Sequence, residues 1–340
     1  MAPTNIGNRI LSVIPTYNGS ELIVRALNSL LIQSLAPAEI VVIDDGSDSV
    51  PEIPSHLRGK FRVVRNSKNI GFAATLNLAL SMAQDYDFML VLQDDIELLD
   101  KDYLKKASEQ FTDSSIAIVT GAAHISNKLS TTKKCFAKLC HIDFKPNTKC
   151  SIASSFLKAD LMRVSAINDV KGFAYSGNRQ LGSEDHILGQ RLASKGYKVI
   201  LDPSIAYAVD YARSDNFLGL TRKEWLYGKS VAYGLIQRSI GILPRSDWDR
   251  LKINHRRFQA AIFGIILLSL GASVALGTVL PGLASVLAVY GYYVASSPLS
   301  GFGERFIFAM AGFASAFAYG SGLVEGVFLS TGALVRLARS

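Results

Sequence analysis

A chain of 340 residues has room for a catalytic-size domain and something more. Apolar residues make up 49% and charged residues 19%, but the only acids and bases from Phe258 to Val335 are Glu304, Arg305 and Glu325. The net charge of +8 does not point to nucleic acid: the basic residues form no run with interleaved aromatics, and the cluster Arg250, Lys252, Arg256 and Arg257 stands directly before the apolar half, which points to membrane lipid as the partner.

The first eighteen residues hold no basic region followed by an apolar core, so no signal peptide is expected and the first domain belongs in the cytosol. Ile10 to Ile14 is a short apolar strand that ends at Pro15-Thr16-Tyr17-Asn18. Glu21 to Gln33 carries Leu22, Ile23, Ala26, Leu27, Leu30 and Leu31 at helical spacing. Glu39 to Ile43 is a β-branched strand that stops at Asp44-Asp45-Gly46-Ser47. Strand, helix and strand make a right-handed βαβ unit, so both polar strand ends face one crevice. Phe61 to Val64 leads to Asn66 and then to Asn69-Ile70-Gly71, where the glycine allows close backbone approach and opens a helix that runs through Asn77. Phe88 to Leu92 reads as a buried strand that stops at Gln93-Asp94-Asp95. Adjacent acids at a strand end repel each other unless a cation or a donor offsets them.

Ile116 to Thr120 is a further strand, whereas Lys128 to Lys149 shows no periodicity that assigns it. Cys135, Cys140 and Cys150, with His141, match no zinc spacing and read as free thiols. Gly182-Ser183-Glu184-Asp185-His186 opens a helix, with the two acids in its first turn. Lys198 to Leu201 is the last strand, and Leu220 to Ile240 is an amphipathic helix with the character of an interfacial segment. Phe258 to Leu280 runs 23 residues without a charge, long enough to cross a bilayer. Leu283 to Ser297 is short for a span, and Phe306 to Leu329 is a third apolar segment rich in small residues. The expected domains are residues 1–217 for the α/β part, 218–257 for a helical linker and 258–335 for two to three apolar membrane helices.

Taken together, VIPTYNGSE, VVIDDGSDS, NIGFAATLN, VLQDDIEL and GSEDHILGQRL resemble the family-two glycosyltransferases, and the resemblance covers about Arg9 to Asp215. It implies a GT-A fold, a Rossmann-like mixed sheet, followed by C-terminal transmembrane helices. By the same resemblance Pro15, Thr16, Tyr17 and Glu21 line the nucleotide site, Asp45 binds the base or ribose with Asp44 beside it, and Asn69, Gly71, Asn77 and Asp94 complete the nucleotide-sugar site. Gln93-Asp94-Asp95 takes the place of the family's D-x-D motif, so Asp95 matches its metal-binding position. Glu184-Asp185 matches the catalytic ED pair, with Asp185 as the base. The chain departs from many members at Gly172-Phe173-Ala174, where they carry Gly-Phe-Asp, and at Asp210, the closest position to a histidine they carry after the next strand and an implied substitute metal ligand. The Gln-x-x-Arg-Trp motif of processive synthases is absent, which favours transfer of one sugar.

These expectations define an inverting transferase using Mg²⁺ or Mn²⁺. Its donor is a UDP-, GDP- or dTDP-sugar, and its acceptor a hydroxyl of a lipid-linked or cell-surface glycan. The enzyme is expected to be multi-pass in the cytoplasmic membrane, with the catalytic domain facing the cytosol. The alternatives are a polyprenyl-phosphate sugar synthase, whose acceptor needs no base, and a membrane protein that binds nucleotide sugar without turnover. A sugar nucleotidyltransferase or a dehydrogenase is disfavoured, because neither a glycine-rich phosphate loop with a trailing lysine nor G-x-G-x-x-G follows a strand.

Overall fold

A computed structural model describes residues 9–19, 22–49, 54–139, 146–173, 184–210, 216–239 and 253–337. In chain order it begins β1 (Ile10–Thr16), α1 (Leu22–Leu31), β2 (Glu39–Asp44), β3 (Arg62–Arg65), α2 (Phe72–Met82), β4 (Phe88–Leu92), β5 (Ile96–Leu98), α3 (Tyr103–Ser108) and β6 (Ile116–Ile125). It continues with α4 (Thr131–Leu139), β7 (Cys150–Ile152), β8 (Ala159–Arg163), α5 (Val164–Asp169), α6 (Glu184–Ser194) and β9 (Lys198–Val209). Four helices follow: α7 (Phe217–Ser239), α8 (Ile253–Ala275), α9 (Leu280–Ser296) and α10 (Phe302–Leu337). The chain divides into two compact units, Met1–Ser126 with Asp143–Gln180 and Glu184–Arg213, and Asn127–Ile142 with Leu181–Ser183 and Ser214–Ser340. α4, in the stretch the sequence leaves unassigned, belongs to the second unit.

The first unit is built on one sheet in the order β3-β2-β1-β4-β8-β6-β9-β5, with β7 on β9. β1 is buried at every residue because it lies between β2 and β4, parallel to both, so both its faces need apolar side chains. From β1 the chain builds outward to β2 and β3 on one side and then returns to place β4 on the other. That reversal is a topological switch point, where an open α/β sheet leaves a crevice at the carboxyl ends of its strands. Pairing of β1 with β4 ends at Val13 and Val91, while β1 stays with β2 as far as Thr16 and Asp44. The main core under this sheet gathers Leu11, Val13, Val41, Leu76, Met89 and Leu188.

The far half of the sheet is antiparallel at β4–β8, β8–β6 and β9–β5. β9 runs well past Leu201, where the sequence suggests an end, because a register shift between Gly121 and Ala122 lets the pairing jump from Asp202 to Ala206. Pro203 lies in the residues skipped, so its missing N–H costs no ladder bond. Gly121 lies against this bulge: a Cβ there would sit 2.7 Å from the Ile205 carbonyl oxygen and 2.8 Å from the Tyr103 ring. The buried Tyr103 hydroxyl donates to Ala159 O at 2.5 Å and accepts from Gly121 N–H at 2.8 Å, tying α3 to β8 and β6.

In the helical unit, Phe258–Ala275 and Phe302–Phe328 are long and apolar enough to cross a membrane, and α9 is shorter. Leu268, Val274, Leu287 and Phe302 present exposed apolar side chains. α7, read as interfacial, packs against α10 through glycines. A Cβ on Gly228 would meet Tyr319 O at 2.0 Å, and one on Gly322 would meet Trp225 O at 2.1 Å. Glu325, a charge inside an apolar helix, is paired with Lys229 at 2.9 Å. A buried relay runs from Gln259 Nε2 to Ser315 Oγ at 2.5 Å and from Ser315 Oγ to Glu224 Oε2 at 3.0 Å, joining α8, α10 and α7.

Candidate active site

The carboxyl ends of β1, β2 and β4 deliver Pro15-Thr16-Tyr17, Asp44-Asp45 and Gln93-Asp94-Asp95 to the crevice at the switch point. Thr16 Oγ1 donates to Asp94 Oδ2 at 2.6 Å, bridging the two strands where their ladder has ended. Gly19 lies against the same carboxylate, and a Cβ there would be 2.0 Å from Asp94 Oδ2. Asn18, in the left-handed region at φ 56°, donates its N–H to Ser47 Oγ at 2.8 Å and exchanges hydrogen bonds with Asp48. The loops after β1 and β2 are therefore tied together, and Tyr17 projects from them with 38% of its surface exposed. Glu21 lies outside the described residues.

The two aspartates after β2 face different partners. Asp44 is fully buried, accepts from Ser47 N–H at 3.0 Å and from the Ser47 hydroxyl, and faces Arg65 Nη1 at 3.5 Å. Asp45 turns into the loop before α2, taking Asn66 Nδ2, Ile70 N–H and Gly71 N–H, each at 2.9 Å. Its carboxylate shapes the segment that carries Asn69 and Gly71. Gly71 itself has φ 94°, the left-handed region that a β-carbon disfavours, and begins α2. Asn77, expected among the donor contacts, instead clamps a distant turn: Nδ2 donates to Phe173 O and Oδ1 accepts from Phe173 N–H, both at 2.9 Å. Lys171 and Gly172 in that turn both have positive φ. The clamp holds Phe173, the residue before Ala174, where the chain departs from Gly-Phe-Asp and which lies outside the described residues.

Asp95 differs from its neighbour Asp94. Its Oδ1 is buried and accepts no hydrogen bond, an orphaned oxygen of the kind a cation satisfies. Antiparallel pairing of β5 with β9 matches Ile96 to Val209, and one step further brings Asp210 beside Asp95, with Asp210 N–H donating to Asp95 O at 3.0 Å. The Asp210 carboxylate is held by the Arg25 guanidinium, which also approaches Glu97 at 3.8 Å. Among the described residues, no group of three or more His, Cys, Asp and Glu side chains is arranged to hold a metal ion unaided. One or two carboxylates completed by a ligand's phosphates is how Mg²⁺ is ordinarily bound, and Asp95 with Asp210 fits that donor set. Sequence reasoning missed Arg25 as a site residue; the signal was a single charged residue inside the apolar helix Leu22–Leu31.

Glu184 and Asp185 form the first turn of α6, both half-buried. The helix is anchored by the buried Ile187, Leu188 and Leu192, and by the close approach of Gly189 to the Ala153 carbonyl, 2.3 Å from where a Cβ would lie. Gly182 and Ser183, the expected cap, lie outside the described residues.

The chain is similar to several known proteins. The O-antigen chain rhamnosyltransferase RfbN of Salmonella typhimurium is 27% identical over 205 residues, 56% of this chain and 63% of that one. The poly-β-1,6-N-acetyl-D-glucosamine synthase of Staphylococcus aureus is 27% identical over 209 residues, 57% of this chain and 48% of that one. The chain thus spans only half to two thirds of the length of these relatives. The mannosyltransferase PcManGT of Pyrobaculum calidifontis, solved with GDP-Man and Mn²⁺, superposes with a TM-score of 0.59 over 91% of this chain and 86% of that one at 17% identity, a likeness of fold. Residues 12–169 match glycosyl transferase family 2, and this stretch carries the switch-point aspartates on a mixed sheet of the GT-A fold.

Proposed function

We propose that the chain is an inverting glycosyltransferase moving one sugar from a nucleotide-diphosphate donor to a hydroxyl of a lipid-linked or cell-surface glycan precursor. It works at the cytoplasmic face of the membrane, anchored by α8 and α10 with the catalytic domain in the cytosol. The observation that carries this is the convergence of Thr16, Asp94 and the orphaned Asp95 oxygen at the β1–β4 switch point. The name of the Salmonella relative supports a cell-surface polysaccharide as the destination of the sugar.

Pro15, Thr16, Tyr17, Asn69 and Gly71 line the donor's nucleotide, with Asp44 and Asp45 holding the loops that shape it. The exposed ring of Tyr17 offers an apolar face to the base. Asp95 and Asp210 would hold Mg²⁺ or Mn²⁺, which when bound would stabilise the charge that develops on the leaving diphosphate. Asp185 removes the proton of the acceptor hydroxyl as its oxygen bonds to the anomeric carbon and the carbon–diphosphate bond breaks, with Glu184 beside it. Attack opposite the leaving group inverts the anomeric centre. A general base of this kind contributes about 10²- to 10⁴-fold.

The test is turnover of a panel of UDP-, GDP- and dTDP-sugars by the purified full chain with Mn²⁺. One donor is expected to be hydrolysed or transferred, and EDTA is expected to stop it. Asp185→Asn is expected to lower transfer by about 10²-fold or more while the thermal shift caused by the donor persists. Full turnover in that variant would remove Asp185 as the base, and a panel with no donor bound or consumed would remove the function itself.

A further inference from the structure

We propose that Arg25 is a positioning residue that keeps the Asp95–Asp210 edge of the site from binding a divalent cation tightly until a nucleotide diphosphate is present. The inference rests on the metal–diphosphate site proposed above and adds to it a residue that none of the family motifs contains.

Arg25 is the one charged residue of α1, whose Ile23, Ala26, Leu27 and Leu30 are buried. A helix so anchored delivers the guanidinium to a fixed place. That place is a small recess lined by Asp95, Glu97, Ser126 and Asp210. The Asp210 side chain is 6% exposed, and a carboxylate that buried needs a counter-charge, which Arg25 supplies. Glu97, more exposed, is the second partner at 3.8 Å.

Three carboxylates and one guanidinium line the recess, and its most buried acid, Asp210, is already engaged. A dication entering beside Asp95 meets the repulsion of Arg25 and competes with it for Asp210. A diphosphate supplies the missing oxygens and the negative charge that offsets the guanidinium, so cation and nucleotide should each strengthen the other's binding. By linkage, whatever factor the nucleotide adds to metal affinity the metal adds to nucleotide affinity. Without Arg25, metal would bind unaided and that factor would shrink.

The experiment titrates Mn²⁺ into the full-length protein by electron paramagnetic resonance of the free ion, alone and with saturating UDP or GDP. Wild type is expected to bind Mn²⁺ weakly alone and at least tenfold more tightly with one of the two nucleotides. Arg25→Gln is expected to raise the affinity for Mn²⁺ alone by about tenfold, a direction set by the removed repulsion, and to shrink the nucleotide effect by the same factor. Arg25→Lys, whose compact ammonium lacks the planar fork that bridges two carboxylates, is expected to fall between them and decides the matter if the Gln variant does not fold. Unchanged Mn²⁺ affinity and coupling in a folded variant overturn the role of Arg25 while leaving the site intact. Wild type in which neither nucleotide affects Mn²⁺ binding overturns the metal–diphosphate site and this inference with it.

Discussion

Gly19 shows how closely the donor end of the site is built. An added methyl would lie 2.0 Å from Asp94 Oδ2 and 2.6 Å from Thr16 Oγ1, so either the carboxylate leaves Thr16 or the loop shifts. Gly19→Ala is therefore expected to lower transfer at least tenfold, with an overpacking cost of about 1–3 kcal/mol in stability. Gly264→Ala, at a position with nothing within 4 Å of the new methyl, serves as the control and is expected to behave as wild type. Kinetics of both variants with the preferred donor check this. At this scale Asp44, Asp45, Asp94 and Asp95 were legible in the sequence, because each pair closes an apolar run. Their division of labour was not. That Asp45 faces the Asn66–Gly71 loop and that Asp95 keeps an orphaned oxygen follow from partners far along the chain.

Among the elements, the sheet beyond β4 rests on a contact that no motif announces. Burial, with the nearby Asp160 charge adding to it, holds the Tyr103 phenol well above the usual tyrosine range, so its hydroxyl stays protonated and remains a donor. Tyr103→Phe leaves the Ala159 carbonyl and the Gly121 N–H without this partner inside the core. A loss of about 1–3 kcal/mol is expected, read as a lower urea midpoint. An unchanged midpoint would show that the link between α3, β6 and β8 contributes nothing. The strands legible in the sequence were those with unbroken β-branched or apolar runs. β8 escaped because Asp160 interrupts it, and the second half of β9 because Pro203 mimics a strand end that the bulge opposite Gly121 accommodates.

For the whole molecule, α8 and α10 are long and apolar enough to hold the chain at a membrane. Exposed Leu268, Val274, Leu287 and Phe302 would face water in a soluble chain, whereas lipid removes that cost. If α8 and α10 span the bilayer, the full chain should stay in the membrane pellet after alkaline carbonate extraction and leave it only with detergent. Release by carbonate alone would mean peripheral attachment.

The order of polar strand ends, the apolar half and the five motifs are local patterns, and so the sequence by itself determined the fold class and the aspartates at the crevice. The tertiary structure alone decided which of those residues meet. The pairing of β5 with β9 carries Asp210 to Asp95, α1 brings Arg25 onto Asp210, and α2 lends Asn77 to a turn almost a hundred residues away. Strand register and helix placement are set by packing of the entire core, and no short stretch of chain contains that information.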